Sequence, residues 1–376
     1  MLPLLNWLTK QKPEMVASLR ELVELESPSN NKAALDRLGQ HIAAEFEKLG
    51  GRVQFHPQEH AGDHLQVNFA GAGKPILILG HMDTVWDQGT LASMPFRVAN
   101  GRAFGPGIFD MKGGIVLAIY AIRALQQERG NLPRAVTALL VSDEEIGSKS
   151  SRSITEALAK KSAAVLVLEP AQGKDGALKT SRKGVGEYQV KVTGREAHSG
   201  LDPEKGASAV LELARQLLVM EKFADRKNGV TINPGVISGG TRTNVIAGEA
   251  TAAVDARVSR LQDIRRLDKK FRSLRPFDKR CQIAVSGKVG RPPLERSKQV
   301  VELFELARRL ASELGWELKE SAAGGGSDGN FTAALGIPTL DGLGAVGEGA
   351  HARHESVMIA ELPRRAALLA RLLETL

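Results

Sequence analysis

Residues 75–83 read Pro75-Ile-Leu-Ile-Leu-Gly-His-Met-Asp83, an apolar run that ends on an imidazole and a carboxylate. A short run that is apolar nearly throughout predicts a strand buried on both faces of a sheet. Residues 135–141 and 163–168 form two more such runs, and helical periodicity appears between the runs, for example at 114–125. Alternating strands and helices predict an α/β domain whose sheet carries helices on both faces.

Polar residues follow each predicted strand. His81 and Asp83 follow the first strand, Ser142-Asp-Glu-Glu145 follows the second, and Glu169 follows the third. In open α/β sheets, ligands bind beyond the carboxyl ends of the strands. We therefore expect these three clusters to converge in space, although they lie far apart in sequence.

The sequence pattern changes within residues 184–286. Residues 186–193 alternate between polar and apolar side chains like a half-exposed strand, and further strand and helix patterns follow. We expect an inserted α+β domain with a largely antiparallel sheet over residues 184–286. The catalytic domain would then comprise residues 1–183 and 287–376.

The composition is that of an ordinary globular protein, with 42% hydrophobic and 25% charged residues. No run reaches the roughly eighteen apolar residues that a membrane helix needs, and the N-terminus lacks the pattern of a signal peptide. We therefore expect a cytoplasmic protein without membrane contact. The lone Cys281 excludes an internal disulfide and a cysteine-based metal site, and its surroundings favour a buried structural thiol over a nucleophile.

The formal net charge of +8 raises the question of nucleic-acid binding. Much of the excess lies between Arg257 and Arg280, where the spacing suits the solvated face of a helix. Aromatic residues make up only 4% of the chain, so base-stacking surfaces would be scarce. We expect no nucleic-acid partner and interpret the charge as an attraction for an anionic small substrate.

The histidines and acids around the strand ends form a set typical of a metal centre. Imidazole and carboxylate ligands without thiolate suit Zn2+, with Co2+ or Mn2+ as possible substitutes. One catalytic zinc takes three protein ligands, so this set is large enough for two ions about 3.5–4 Å apart that share one carboxylate. The candidates are His81, Asp83, Asp110, Glu144, Glu145, Glu169 and either His351 or His354.

Longer motifs surround these residues in the order Gly80-His-Met-Asp-Thr-Val85, Gly105-Pro-Gly-Ile-Phe-Asp-Met-Lys-Gly-Gly114, Asp143-Glu-Glu-Ile-Gly147, Glu169-Pro170, Gly194-Arg-Glu-Ala-His-Ser-Gly200, Gly324-Gly-Gly-Ser-Asp328 and Gly349-Ala-His351. In order and spacing they closely resemble the M20 metallopeptidase family, and the best subgroup match is to glutamate carboxypeptidases of the carboxypeptidase G type. The resemblance covers nearly the whole chain. It implies an α/β fold: a zinc-exopeptidase-like catalytic domain with a mixed, mostly parallel sheet, and an inserted α+β (ferredoxin-like) domain that forms a lid and a homodimer.

The same resemblance implies a role for each candidate ligand. His81 and Glu169 would hold one zinc ion, Glu145 and His351 would hold the other, and Asp110 would bridge the two. His351 is preferred over the neighbouring histidine because its Gly-Ala-His motif and the acid four places later match the family pattern. His354 would then be a structural or rim residue.

Two further residues acquire roles from the resemblance. Asp83 would orient His81 and fix its tautomer. Glu144 would be the general base, which takes a proton from the bridging water and passes it to the leaving nitrogen. In this family the peptide bond after the bridging aspartate is cis, so we expect a cis bond between Asp110 and Met111.

The insert would supply residues that contact the substrate. His198 resembles the histidine that reaches the partner's active site and polarises the scissile carbonyl. Asn244 and Arg257 resemble positions that bind a substrate carboxylate, a task that suits the guanidinium fork. Gly326 would offer a backbone contact. Ordinary roles also fit Asn244, as a turn residue, and Arg257, as a surface charge.

The sequence thus predicts a di-zinc carboxypeptidase that cleaves the amide bond to a C-terminal amino acid, preferably glutamate, in a small molecule or short peptide with a free carboxylate. A second hypothesis is an enzyme with the same chemistry but another substrate: acetylornithine, succinyl-diaminopimelate or another N-acyl amino acid. A third reading is an inactive relative that binds a metabolite or a partner protein. Such a relative is expected to lack the base or a ligand, whereas this sequence keeps Glu144 and a full ligand set.

Overall fold

Ten α-helices form in residues 2–376, which are the residues that this computed structural model describes. They are α1 (Leu2–Lys10), α2 (Lys12–Glu24), α3 (Lys32–Glu47), α4 (Gly113–Arg129), α5 (Arg152–Lys161), α6 (Ala209–Glu221), α7 (Leu261–Arg272), α8 (Lys298–Glu313), α9 (Gly329–Ala334) and α10 (Leu362–Thr375). None of the helices in this described part is long and apolar enough to cross a bilayer.

The strands of the same residues form four sheets. They are β1 (Arg52–His56), β2 (His64–Phe69), β3 (Ala72–His81), β4 (Arg97–Ala99), β5 (Arg102–Phe104), β6 (Arg134–Val141), β7 (Ala164–Val167), β8 (Leu178–Arg182), β9 (Gly184–Thr193), β10 (Thr231–Gly239), β11 (Glu249–Val258), β12 (Gln282–Arg291), β13 (Glu320–Ala323), β14 (Thr339–Leu340), β15 (Gly347–Glu348) and β16 (Ser356–Met358).

The largest sheet has the order β1-β2-β6-β3-β7-β14 and is parallel from β6 to β14, whereas β2 runs antiparallel to β6. This arrangement confirms the predicted mixed, mostly parallel sheet. Strand β3 lies between β6 and β7, so the next strand of this sheet along the chain, β6, is on one side of β3, and the one after it, β7, is on the other. Such a switch point opens a crevice at the carboxyl ends of the strands.

Burial on both faces explains the apolar run that begins at Pro75. The side chains from Ile76 to Leu79 are fully buried, and helix α4 is buried almost all round because it packs between the sheet and α10. Fully buried strands and helices bury more apolar surface than amphipathic ones. The central strand therefore has little freedom to shift, and it fixes the position of the polar residues at its end.

The insert has the chain order β9-α6-β10-β11-α7-β12 and one antiparallel sheet of order β10-β11-β9-β12. This is the predicted ferredoxin-like topology. The side chains of β9 and β11 alternate between buried and exposed, and the buried ones pack in a core with Leu213 of α6 and with Leu267 and Phe271 of α7. Cys281 is buried beside this core, as expected for a structural thiol.

The chain divides into two compact units at slightly different points from those predicted. One unit comprises the chain up to Ser181 with Arg296–Ala323 and Ser327–Leu376, and the other comprises Arg182–Glu295 with Gly324–Gly326. The second unit extends beyond the predicted boundary at residue 286 because β12 continues to Arg291 as a partner of β9. The assignment of Gly324–Gly326 to it was not predicted.

Candidate metal centre

Three strand ends bring the predicted acids and histidines together. His81 is the last residue of β3, Glu144 and Glu145 follow β6, and Glu169 follows β7. Because these strands are parallel neighbours, their carboxyl ends share one edge of the sheet. Asp110 and His351 come from loops, and the structure brings both to the same edge.

The ligand atoms form two groups that share Asp110. In the first group, Nε2 of His81 lies 3.2 Å from Oδ1 of Asp110 and 3.5 Å from Oε1 of Glu169. In the second group, Nε2 of His351 lies 3.5 Å from Oδ2 of Asp110 and 3.1 Å from Oε1 of Glu145. Each oxygen of the Asp110 carboxylate therefore faces a different histidine, which is the arrangement of a carboxylate that bridges two cations.

The two late histidines differ in their surroundings. His351 adopts a positive φ of 60° in the turn that follows Gly349, and this conformation accompanies its approach to Glu145. His354 is exposed and belongs to neither ligand group among the described residues. The geometry thus places His351, the first of the two candidates, in a group that could hold a metal ion.

The electrostatics of this site favour a bound cation. Burial disfavours the charged form of His81, yet hydrogen bonds to Asp110, Asp83 and Glu169 raise its pKa well above its usual value. Hydrogen bonds to Asp110 and Glu145 likewise raise the pKa of His351 to about 10. Burial opposes ionisation of Asp110, but its contacts with both histidines hold its pKa well below its usual value. These directions show that the cluster stabilises positive charge at the points where the ligand atoms converge.

The donor set fits metal ions as well as protons. Nδ1 of His81 lies 2.9 Å from the backbone carbonyl oxygen of Asp83, which can only accept, so the neutral ring carries its proton there. The lone pair of Nε2 then points toward Asp110 and Glu169. A histidine oriented in this way, with two carboxylates beside it, has the ligand chemistry of zinc and related ions.

The carboxylate of Asp83 contributes in a way that the sequence did not indicate. Its Oδ1 lies 3.4 Å from Nδ1 of His81, a longer contact than the carbonyl makes. Its two oxygens accept hydrogen bonds from the backbone N–H of Glu144 at 3.2 Å and of Glu145 at 3.1 Å, and Ser29 donates to it at 2.8 Å. Fully buried Asp83 therefore fixes the loop that carries both glutamates.

Glu355 is a functional candidate that the sequence reasoning missed. Its side chain is fully buried, and the backbone N–H groups of Gly107, Phe109 and Asp110 donate to it at 2.9–3.0 Å. The indole N–H of Trp86 donates to it at 2.8 Å. Burial raises the pKa of Glu355, an effect that these four hydrogen bonds oppose. Its spacing of four residues from His351 was the available signal.

The turn before Asp110 has a demanding backbone. Gly107 has a φ of 70°, and a Cβ atom there would lie 2.4 Å from Cγ2 of Thr84, so glycine is required on both counts. The Asp110–Met111 peptide bond is cis, as expected. Lys112 is buried nearby, where its ammonium donates to the carbonyl oxygen of Leu25 and burial lowers its pKa to about 7.

The remaining candidates, His198, Asn244, Arg257 and Gly326, all belong to the second compact unit. Within that unit, the segment of His198 pairs with the segment of Asn244, because the N–H of Ser199 donates to the Asn244 carbonyl oxygen at 3.0 Å. Nδ1 of His198 accepts the N–H groups of Gly200 and Leu201, both at 3.1 Å. The proton of the neutral ring therefore sits on Nε2, which makes this exposed histidine a hydrogen-bond donor.

Arg257 lies on β11 with its guanidinium paired to Asp255, whose two oxygens lie 3.0 Å from its Nε. It points to the sheet face opposite the helices, because its neighbours Ala256 and Val258 are buried in the core. The carbonyl of Gly326 accepts a hydrogen bond from buried Arg182 at 3.1 Å, and that of Gly325 accepts one at 3.3 Å.

Comparisons with known proteins agree with this architecture. The sequence profile of peptidase family M20/M25/M40 matches residues 77–375. Carboxypeptidase G2 of Pseudomonas sp. (strain RS-16) is 30% identical over 374 residues, which cover 97% of this chain and 90% of that protein. Acetylornithine deacetylase of Myxococcus xanthus is 29% identical over 380 residues, which cover 96% of each protein.

A solved structure extends the likeness to the fold. Aminopeptidase PepT of Bacillus cereus ATCC 10987 superposes with a TM-score of 0.81 at 24% sequence identity, over 96% of this chain and 98% of that chain. The family profile covers most of the sequence and includes all the residues of the metal centre. The chain belongs to peptidase family M20/M25/M40 and is a metal-dependent hydrolase of that family.

Proposed function

We propose that the protein is a di-zinc carboxypeptidase that hydrolyses the amide bond to a C-terminal amino acid, with glutamate preferred. The observation that carries this proposal is the position of Asp110, whose two oxygens each face a separate histidine and carboxylate pair. One group would be completed by His81 and Glu169, and the other by Glu145 and His351. Co2+ or Mn2+ could replace zinc in sites of this kind.

Glu144 is the proposed general base. Zinc ions held by these residues would acidify the attacking water and polarise the scissile carbonyl. Glu144 would take the proton from that water and deliver it to the leaving nitrogen. The hydrogen bonds from Glu144 and Glu145 to Asp83 support this assignment, because they fix the base relative to a ligand of the same loop.

The insert supplies the proposed substrate contacts. His198 would donate from Nε2 to the carbonyl oxygen that becomes negative in the transition state. Arg257 and Asn244 would bind the free carboxylate of the substrate, and Gly326 would offer a backbone contact. The net positive charge of the chain lies in Arg182–Glu295, while the remaining residues are nearly neutral overall. This distribution would attract anionic substrates to the insert.

We also propose that the protein is a homodimer through the insert. Strand β10 is at the edge of its sheet, and Val236 and Ile237 on it are 66% and 62% exposed. Leu211 and Leu218 of α6 are also more than half exposed. An exposed apolar edge strand beside an apolar helix face is a typical surface for a second copy, and pairing would cover it. His198 would then act in the partner's active site.

A deacylase that acts on acetylornithine or another N-acyl amino acid is the second candidate. The relative from Myxococcus xanthus, which carries that name, is 29% identical to this chain, against 30% for carboxypeptidase G2. Both reactions use the same metal centre and the same base, so they differ only in the substrate. A binding protein without activity is disfavoured because all ligand residues and Glu144 are present.

A substrate panel tests the proposal. The protein is stripped of metal, reconstituted with Zn2+, and assayed on N-acyl-glutamate, N-acyl-aspartate, acetylornithine and dipeptides. We expect the highest kcat/KM on the acyl-glutamate substrate and none without metal. Fast turnover on acetylornithine alone would establish the deacylase instead, and activity that survives complete metal removal would contradict both.

A further inference from the structure

We propose that Glu355 is a positioning residue that sets the geometry of the metal centre by holding the Asp110 turn in place. The inference rests on the proposed function, because it concerns the carboxylate shared by the two metal sites. Glu355 belongs to neither ligand group itself. It acts on Asp110 through hydrogen bonds to the backbone.

Three backbone hydrogen bonds run from one turn to the carboxylate of Glu355. One carboxylate oxygen, Oε1, accepts the N–H groups of Phe109 and Asp110, and the other, Oε2, accepts that of Gly107. A single buried anion therefore fixes three N–H groups of one turn, including that of the bridging residue. Hydrogen bonds to a charged acceptor are stronger than neutral ones, so this turn is held more firmly than an ordinary loop.

Glu355 is itself anchored by backbone hydrogen bonds on both sides. Its N–H donates to the carbonyl oxygen of Ala352 at 2.9 Å, and the N–H of Ala352 donates to the carbonyl oxygen of Gly349 at 2.9 Å, which closes the turn that carries His351. The next residue, Ser356, begins β16 and pairs with Phe104 of β5. The side chain thus joins the turn of one ligand to the turn of another.

Packing alone does not explain a buried acid at position 355. An ionised carboxylate in the interior is costly unless it is well paired, and it contributes no apolar packing. Trp86 supplies the fourth donor, three residues after Asp83, so all four hydrogen bonds lead to segments beside the metal centre. An acid at this position is therefore explained by ligand placement better than by stability alone.

The test compares Glu355→Gln with wild type and with Glu361→Gln, which changes an acid that pairs with Arg364. The amide of Glu355→Gln presents an NH2 group to donors that need an acceptor. Metal-free proteins are titrated with Co2+ in the presence of a competing chelator, and the visible cobalt spectrum reports each binding step. Thermal unfolding of the metal-free proteins is measured in parallel.

We expect Glu355→Gln to bind Co2+ about 10- to 100-fold more weakly with an altered cobalt spectrum, as for other residues that orient ligands. Glu361→Gln should match wild type. A purely structural role would lower the Tm of Glu355→Gln and leave the cobalt affinities and spectrum unchanged, and that result overturns the proposal. If Glu355→Gln does not fold, Glu355→Asp and Trp86→Phe replace it. We expect both variants to bind Co2+ more weakly than wild type. Unchanged Co2+ binding by both variants overturns the proposal.

The wild-type titration separates this inference from the proposed function. If wild type binds only one Co2+ ion, the two-metal assignment fails, whatever the variants do. If wild type binds two ions and Glu355→Gln binds them equally well, the two-metal assignment stands and the role of Glu355 is refuted.

Discussion

Nε2 of His351 lies 3.1 Å from Oε1 of Glu145, although 206 residues separate the two in sequence. With Asp110, this contact raises the pKa of His351 to about 10 in the metal-free protein. The imidazole is therefore protonated at neutral pH, and a metal ion that binds to its nitrogen must displace the proton. The ligand pair thus couples metal binding to pH.

We predict that metal affinity rises with pH from about 7 towards 10, by about tenfold per unit for each proton displaced. Calorimetric titrations of Zn2+ in buffers with different ionisation enthalpies measure the protons released. His354→Ala should release as many protons as wild type, whereas His351→Ala should release fewer. Equal release by wild type and His351→Ala would contradict this prediction.

The raised pKa of His351 also predicts how the stability of the metal-free protein changes with pH. A raised pKa in the folded state contributes stability that is complete below the unfolded pKa, near 6.5, and is lost as pH rises through about 10. The Tm of metal-free wild type should therefore fall over this range more than the Tm of metal-free His351→Ala does. Thermal unfolding at several pH values checks the sign.

Glu144→Gln should retain both metal ions and lose turnover by several orders of magnitude. The amide keeps the size of the side chain but cannot accept the proton of the attacking water. Metal content is measured by elemental analysis and kcat with the best substrate of the panel. Glu156→Gln, an acid of α5 that pairs with Arg152, serves as the control. A fully active Glu144→Gln protein would disprove the assignment of the base.

Arg257→Ala should raise KM by about 10- to 100-fold for substrates with a free carboxylate, because hydrogen bonds between charged groups are worth about 1.5–3 kcal/mol. Steady-state kinetics should show a smaller effect on a substrate whose carboxylate is amidated. Arg265→Ala removes an exposed charge from α7 and should leave KM unchanged. If Arg257→Ala and wild type have the same KM, Arg257 does not bind the substrate carboxylate and is an ordinary surface charge.

The double variant Val236→Asp, Ile237→Asp should be monomeric. Two carboxylates on the edge strand β10 would be buried without partners in a dimer, at a cost that exceeds the gain from apolar contact. Light scattering coupled to gel filtration gives the mass. Phe277→Asp changes an equally exposed apolar residue of the same unit outside β10 and α6, and it should leave the dimer intact. A dimeric double variant would exclude this surface.

Mixing two inactive proteins tests whether His198 acts in the partner's site. If His198 acts across the dimer, a heterodimer of Glu144→Gln and His198→Ala contains one complete site. The His198→Ala subunit supplies Glu144 to that site, and the Glu144→Gln subunit supplies His198. After exchange of subunits at equal concentrations, activity should recover to about a quarter of wild type, because half of the dimers are mixed and each has one complete site. No recovery after demonstrated exchange would place His198 in its own subunit's site.

The sequence allowed the strands and most of the site to be predicted, for a definite physical reason. The apolar run from Ile76 to Leu79 predicts a central strand, and the polar residues of an α/β enzyme follow such strands. His81, Glu145 and Glu169 could be found in this way, because their position depends only on the local pattern and on the order of the strands. The resemblance of the motifs then added Asp110 and His351.

What could not be predicted depends on contacts between distant segments. The hydrogen bonds from the Asp110 turn to Glu355 span about 245 residues. The spacing from His351 could mark Glu355 as an acid of interest, but it could not show that Glu355 accepts these hydrogen bonds. The pairing of the His198 and Asn244 segments and the hydrogen bonds of the Asp83 carboxylate likewise arise only in the folded chain. The second compact unit passes residue 286, the predicted end of the insert, because β12 continues to Arg291 beside its partner β9.

Gly324–Gly326 belongs to the same compact unit as Arg182–Glu295, from which it is separated by 28 residues of the other unit. A chimera that takes only residues 182–295 from a relative keeps this tripeptide from the original chain. The tripeptide would then face an arginine position from the other parent, although Arg182 is its hydrogen-bond donor here. A chimera built with both segments from one parent keeps that contact native. Chimeras of this protein should therefore exchange residues 182–295 and 324–326 together.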